Sequence, residues 1–251
     1  MQQQPLTDRV ALVAGGAKNL GGLISRTLAQ CGARVVVHYN SDSTRADAER
    51  TLADIGSTGG QAVAVQGDLT RVADVVRVFA EARHRFGGLD IAVNTVGKVL
   101  KKPILDITEE EYDSMAAINA KSAFFFIREA GRTLNDHGRI CTIVTSLLAG
   151  YTGYYATYAG GKAPVEHYTR AASKEFAARG ISVTAVGPGP MDTPFFYGQE
   201  TPEAVAFHKS QALHGRLTDI ADIAALVRFL VTEGGWITGQ TLFANGGYTT
   251  R

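Results

Sequence analysis

Seven short apolar runs, each rich in Val, Ile or Ala, alternate along the chain with stretches of helical periodicity, and this alternation restricts the fold more than any other feature. The runs are Val10 to Ala14, Arg34 to Tyr39, Ala62 to Val65, Leu89 to Asn94, Arg139 to Thr145, Ser182 to Val186 and Thr241 to Ala244. They are apolar on consecutive positions, as strands are when helices cover both faces of a sheet. Between them, Leu20, Leu23, Ile24 and Leu28, and later Val72, Val75, Val76 and Phe79, repeat at the spacing of a helix with one apolar face. Longer helical patterns run from about Thr108 to Leu134, opened by the capping-box sequence Thr108-Glu109-Glu110-Glu111, and from about Thr157 to Arg179. The pattern predicts an α/β chain with a doubly wound parallel sheet of about seven strands. No linker or shift in composition interrupts it, so residues 1–251 read as a single domain.

Composition narrows the partners. With 45% hydrophobic and 20% charged residues in a chain of 251, a large buried core is expected. The net charge of +1 is spread thinly, with no basic run longer than Lys101-Lys102, so neither nucleic acid nor an anionic membrane is an expected partner. No segment approaches the roughly 18 apolar residues of a membrane span. The opening MQQQPLTDRV lacks the form of a signal peptide, so a cytoplasmic location is expected. Cys31 and Cys141 both sit in apolar surroundings, which predicts neither a disulfide nor a metal site.

Two local patterns carry chemistry. The first apolar run passes into Ala14-Gly15-Gly16-Ala17-Lys18-Asn19-Leu20-Gly21-Gly22 and then a helix, the context of a phosphate cradle built from backbone N–H groups at a helix start. Asn19 is the non-glycine residue that best tolerates a left-handed backbone, so it can keep the turn. The second pattern is Tyr158-Ala-Gly-Gly-Lys162, which brings a phenol and an ammonium onto one helical face. A nearby ammonium stabilises phenolate and brings an otherwise weak acid toward the working pH. Ser146 follows the fifth apolar run, twelve residues before Tyr158, where its hydroxyl can face the same crevice. Pro164 lies inside the same helical pattern and predicts a local kink or a late helix start, with Gly160 and Gly161 absorbing the distortion.

In order along the chain, the glycine loop, Asp68 with Leu69, Asn94-Thr95-Val96-Gly97, Asn119, Ser146, Tyr158, Lys162, Pro188-Gly189 and Thr238-Gly239-Gln240 resemble the motifs of the short-chain dehydrogenase/reductase family. The resemblance extends over nearly the whole chain and is nearest to carbonyl reductases and 3-oxoacyl carrier-protein reductases. It implies a Rossmann-like fold and hydride transfer between a nicotinamide and a carbonyl or alcohol. It further implies that Tyr158 donates the proton and Ser146 bonds the carbonyl oxygen, while Lys162 holds the nicotinamide ribose and Asn119 supports a water linked to Lys162. By the same resemblance Gly15, Lys18, Asn19, Leu20, Gly21, Asp68, Leu69, Asn94, Gly97, Pro188, Gly189 and Thr193 contact the cofactor. The acid that NAD-dependent relatives carry after the second strand falls on Tyr39, followed by Asn40 and Ser41. With no carboxylate there to repel a 2′-phosphate, and with Lys18 and Arg45 nearby, NADP(H) is favoured over NAD(H).

The stretch from about 190 to 215 is rich in aromatic residues and reads as a lid over the substrate. Phe195, Phe196, Tyr197 and Leu213, with Tyr151 and Tyr154, suggest an apolar wall suited to a neutral ketone or acyl chain. An acidic carrier protein meeting Arg128, Arg132 and Lys174 is the weaker partner expectation, and the resemblance implies a homotetramer. Two other readings stand beside the reductase: an NAD-dependent alcohol dehydrogenase, and a dinucleotide-binding sensor without turnover. A sensor has no need of proton-transfer groups, which favours the enzyme.

Overall fold

The computed structural model describes residues 4–250; the ends of the predicted domain, residues 1–3 and 251, lie outside the described residues. The strands are β1 (Val10–Ala14), β2 (Arg34–Tyr39), β3 (Ala62–Gln66), β4 (Ile91–Asn94), β5 (Arg139–Ile143), β6 (Ser182–Pro188) and β7 (Gln240–Ala244). All pair in parallel in the order β3-β2-β1-β4-β5-β6-β7. The chain therefore winds outward from β1 in one direction and resumes at β4 in the other. Where the direction reverses, the connections leave the carboxyl ends of β1 and β4 on opposite faces and open a crevice.

The helices are α1 (Asn19–Gln30), α2 (Arg45–Ser57), α3 (Val72–Phe86), α4 (Glu109–Ala116), α5 (Ser122–Thr133), α6 (Ala156–Glu175), α7 (Pro194–Tyr197), α8 (Pro202–Ser210) and α9 (Ile220–Thr232). Strand geometry divides the core. On β1, Ala11 and Val13 point to one side and pack with Leu20, Ile24 and Leu28 of α1 and Ile223 and Val227 of α9. Val10, Leu12 and Ala14 point to the other and pack with Val75, Val78 and Phe79 of α3 and Phe126 and Ile127 of α5. Every β1 residue is buried, which is why the strand reads as one unbroken apolar run. Within α3 the buried stripe runs through Val75, Val78 and Phe79, and Val76 turns to solvent. Burial of a side chain such as Leu12 contributes roughly 2 kcal/mol relative to exposure.

Two helical expectations are revised. The pattern from Thr108 to Leu134 is not one regular helix: α4 and α5 are joined by a π-helical segment, Ala117–Lys121, with Asn119 inside it. The predicted capping box is present, with Glu111 N–H donating to the Thr108 hydroxyl at 3.3 Å and Thr108 N–H to the Glu111 carboxylate at 3.0 Å. Pro164 does not delay α6, which begins at Ala156 and runs through it. Proline deprives the carbonyl of Gly160, one turn earlier, of its donor. Gly160 is exposed, so water can take that place.

Candidate active site

The phosphate loop is held open by contacts that admit no side chain. Gly15 has φ +71°, and a Cβ on it would lie 2.7 Å from the Thr95 hydroxyl. A Cβ on Gly21 would lie 2.1 Å from the Gly15 carbonyl oxygen, so the first turn of α1 can approach the loop only as glycine. Asn19 adopts φ +47°, the left-handed turn expected of it. Behind the loop sits His38, which the sequence reading missed. Gly15 N–H donates to His38 Nδ1 at 3.1 Å, and His38 Nε2 lies 2.8 Å from the Gly67 carbonyl oxygen. An acceptor at Nδ1 and a donor at Nε2 define a neutral ring, and burial lowers its pKa to about 4. The signal was legible in Val37-His38-Tyr39, a lone polar residue near the end of a buried strand.

This loop forms one end of a cavity of about 360 Å³ at the crevice above β1 and β4. Of the predicted cofactor residues, Gly15, Lys18, Asn19, Leu20, Gly21, Tyr39, Asn40, Asp68, Leu69, Gly97, Tyr158, Lys162 and Thr193 line it. Ser41, Asn94, Pro188 and Gly189 do not. Ser41 bonds to Ser43 at 2.9 Å, and Asn94 is buried beneath the floor, accepting from Val96 N–H at 2.9 Å. Asp68 also closes its own turn, accepting from the Thr70 N–H and hydroxyl at 3.0 and 2.8 Å. Lys18 is not a free cation: its Nζ lies 3.1 Å from the Asp47 carboxylate, as Arg45 lies 2.7 Å from Asp42.

Lys162 projects from α6 into the floor of the cleft, where Nζ donates to the Val96 and Ile143 carbonyls, each at 3.0 Å. A Cβ on Gly97 would meet Lys162 Nζ at 2.9 Å and Asn119 Oδ1 at 3.1 Å, so the three converge. Asn119 brackets the Lys98 backbone, accepting from its N–H at 3.1 Å and donating to its carbonyl at 2.9 Å. The expected electrostatics at Tyr158 are reversed. Burial pushes the phenol up to about 12 and brings the ammonium of Lys162 down to about 8.

The hydroxyl beside Tyr158 belongs to Thr145, whose hydrogen bond opposes the upward shift of the phenol. Ser146 instead donates to the Gly187 carbonyl at 3.3 Å and is buried. The one-residue difference matters because Ser146 opens a short 3₁₀ turn capped by Thr145, whose hydroxyl accepts from Leu147 N–H at 3.3 Å. Thr145 is the last extended residue after β5, and Ser146, which lines the same cavity as Tyr158, directs its hydroxyl to Gly187.

A second cavity of about 360 Å³ begins at Tyr158 and is lined by Val99, Thr145, Leu147, Tyr154, Tyr155, Pro188, Gly189, Phe195, Phe196 and Phe207, with Gln199, Glu200 and His208 among its polar residues. Tyr158, Val144, Met191, Thr193 and Phe195 border both cavities. The predicted lid supplies much of the second wall through α7 and α8. Tyr197, Leu213 and Tyr151 do not line it: all three are exposed, and Tyr197 donates to the Asp192 carboxylate at 2.8 Å. Their hydrophobicity suggested the wall, but their side chains face solvent, which removes them from it.

The chain has counterparts among known proteins. A family model described as enoyl-(acyl carrier protein) reductase matches residues 15–249. A crystal structure described as a dehydrogenase from Burkholderia cenocepacia with bound NADP is 59% identical, covers 100% of this chain and 97% of its own, and superposes with a TM-score of 0.96. The short chain dehydrogenase/reductase AacuN of Aspergillus aculeatus is 34% identical over 257 residues, 96% of each chain. An NADPH-dependent aldehyde reductase-like chloroplastic protein of Arabidopsis thaliana is 34% identical over 259 residues, 97% of this chain and 95% of its own. The similarity spans the phosphate loop, the tyrosine–lysine helix and the sheet that positions them, and the chain belongs to the short-chain dehydrogenase/reductase family.

Proposed function

We propose that this oxidoreductase is an NADPH-dependent reductase of neutral ketones, with the reverse alcohol oxidation open to it. The observation that carries the reading is the position of Tyr158, on the boundary between a cleft shaped for a dinucleotide and a largely aromatic cavity. Bound NADPH supplies a hydride to the carbonyl carbon; with a proton added to the oxygen, the products are an alcohol and NADP⁺. The glycine cradle fits a pyrophosphate: Gly21 lets the first turn of α1 close on Gly15, and Gly15, Lys18, Asn19, Leu20 and Gly21 together line the cavity at that helix start.

The protein's own groups divide the remaining work. Tyr158, kept neutral by burial, retains the proton that the nascent alkoxide needs. Thr145 rather than Ser146 hydrogen-bonds the same oxygen as charge develops. Lys162 holds the nicotinamide ribose, and Asn119, inside the π-helical segment, supports the water through which the proton is replaced. Tyr39, Asn40 and Thr44 present no carboxylate to a 2′-phosphate, which, together with the NADP-bound relative, supports NADP(H) over NAD(H). Residues 190–215 act as the lid, and exposed Ile104, Leu105, Tyr112 and Phe124 around α4 and α5 fit the homotetramer expectation.

The test is loss of NADPH absorbance with a panel of neutral aryl and alkyl ketones, beside dissociation constants for NADPH and NADH. Turnover that vanishes in Tyr158→Phe while NADPH binding persists supports the reading. Tight binding without oxidation of NADPH by any ketone or of alcohols by NADP⁺ overturns it in favour of a sensor.

A further inference from the structure

The far wall of the second cavity carries a polar cluster that proton and hydride transfer do not use. Glu200, on the segment between α7 and α8, has a side chain only 1% exposed and lies 2.6 Å from Lys101 Nζ. It also accepts from the Tyr155 hydroxyl, and Lys101 Nζ lies 5.7 Å from the Tyr155 ring centre. Lys101 neutralises the carboxylate, so a buried charge survives in a wall rich in phenylalanine and tyrosine. His208 of α8 lines the same wall, and its Nδ1 is 2.6 Å from the Tyr248 hydroxyl. Burial lowers the His208 pKa, and a ring hydrogen on Nε2, the nitrogen that faces the Glu200 carboxylate, leaves Nδ1 to accept from the Tyr248 hydroxyl.

That Nε2 stands 3.8 Å from the Glu200 carboxylate, too far for a hydrogen bond. One hydroxyl set beside the line between the two atoms can reach both. An oxygen about 2.8 Å from both atoms accepts from the imidazole and donates to the carboxylate, using both halves of an alcohol or phenol O–H. A carboxylate or phosphate at the same point has no proton to give and meets the Glu200 charge. A ketone carbonyl satisfies only the imidazole. The tyrosine rings bridge this point to the reaction centre: Tyr155 hydrogen-bonds Glu200, and its ring centre is 6.3 Å from that of Tyr158.

We propose that His208 and Glu200 form a hydroxyl-recognition pair, so that preferred substrates are neutral ketones carrying an alcohol or phenol group at the end remote from the carbonyl. The proposal rests on the reductase reading for the direction of the substrate but not for the existence of the subsite. It makes His208 and Glu200 specificity-determining residues, with Lys101, Tyr155 and Tyr248 positioning them.

The experiment compares 2-acetylnaphthalene with 6-hydroxy-2-acetylnaphthalene. Dissociation constants are measured on NADPH-loaded Tyr158→Phe protein, where turnover does not obscure binding, and kcat/KM is measured on protein that retains Tyr158. A hydroxyl preference of about tenfold or more is expected from two hydrogen bonds, one of them to a charged group. His208→Phe brings the ratio toward one, and His208→Gln, which keeps a donor, retains part of it. Equal dissociation constants for the two ketones, or an unchanged ratio in His208→Phe, overturn the pair. A preference in binding without turnover of either ketone supports the pair and counts against the reductase reading instead.

Discussion

Gly15 donates its backbone N–H to Nδ1 of His38 across 3.1 Å, tying the phosphate loop to the end of β2 through an imidazole that must stay neutral. Protonating Nδ1 would set two donors against each other. The ring's folded pKa of about 4 lies below the ordinary 6.5. Its contribution is therefore fully present above pH 6.5 and is lost as pH falls toward 4, by an amount on the order of 3 kcal/mol. Urea unfolding of wild-type protein and His38→Gln at pH 7 and pH 4 isolates this term from the acid sensitivity of paired carboxylates. The stability advantage of the wild type should shrink at the lower pH; an advantage independent of pH would refute the assignment.

Thr145 and Ser146 make opposite predictions. Thr145→Val removes the hydroxyl beside Tyr158 with little change in shape and should lower kcat by roughly 100-fold, the scale of losing one oxyanion donor. Ser146→Ala removes a bond to Gly187 and should change kcat by only a few-fold, appearing mainly as a loss of about 1 kcal/mol in stability. Steady-state kinetics on both variants decide between them, and a larger kcat effect at Ser146 would restore the original assignment.

Gly21→Ala should abolish measurable NADPH binding. The added methyl would stand 2.1 Å from the Gly15 oxygen, inside any tolerable contact, and that oxygen is backbone and cannot swing aside. Calorimetric titration against wild type, with circular dichroism to confirm folding, checks it. Binding within threefold of wild type would mean that the loop opens elsewhere.

Lys18 and Asp47 form a charge pair at the entrance where a 2′-phosphate would lie. Lys18→Ala should weaken NADPH by about tenfold and leave NADH nearly unchanged, whereas Asp47→Asn should tighten NADPH by releasing the ammonium. Parallel titrations with both nucleotides test this. Equal changes for the two would remove Lys18 from cofactor selection.

The sequence by itself determined the seven strands, their parallel sense and the location of the cleft. Fully buried strands write continuous apolar runs, as β1 does from Val10 to Ala14, and a strand-to-helix glycine turn marks where the sheet's carboxyl end is open. Tyr158 and Lys162 were legible for the same reason: their relation is local, one turn of α6. Tertiary structure alone decided what depends on the direction of a side chain between elements distant in sequence. Thr145 rather than Ser146 meets Tyr158 because a 3₁₀ turn starts one residue after the last extended position. His38 reaches the phosphate loop only because β1 and β2 pair in register. Glu200 and His208 face Tyr155 and Lys101 because α7 and α8 fold back over the end of the sheet, and no spacing along the chain encodes that approach.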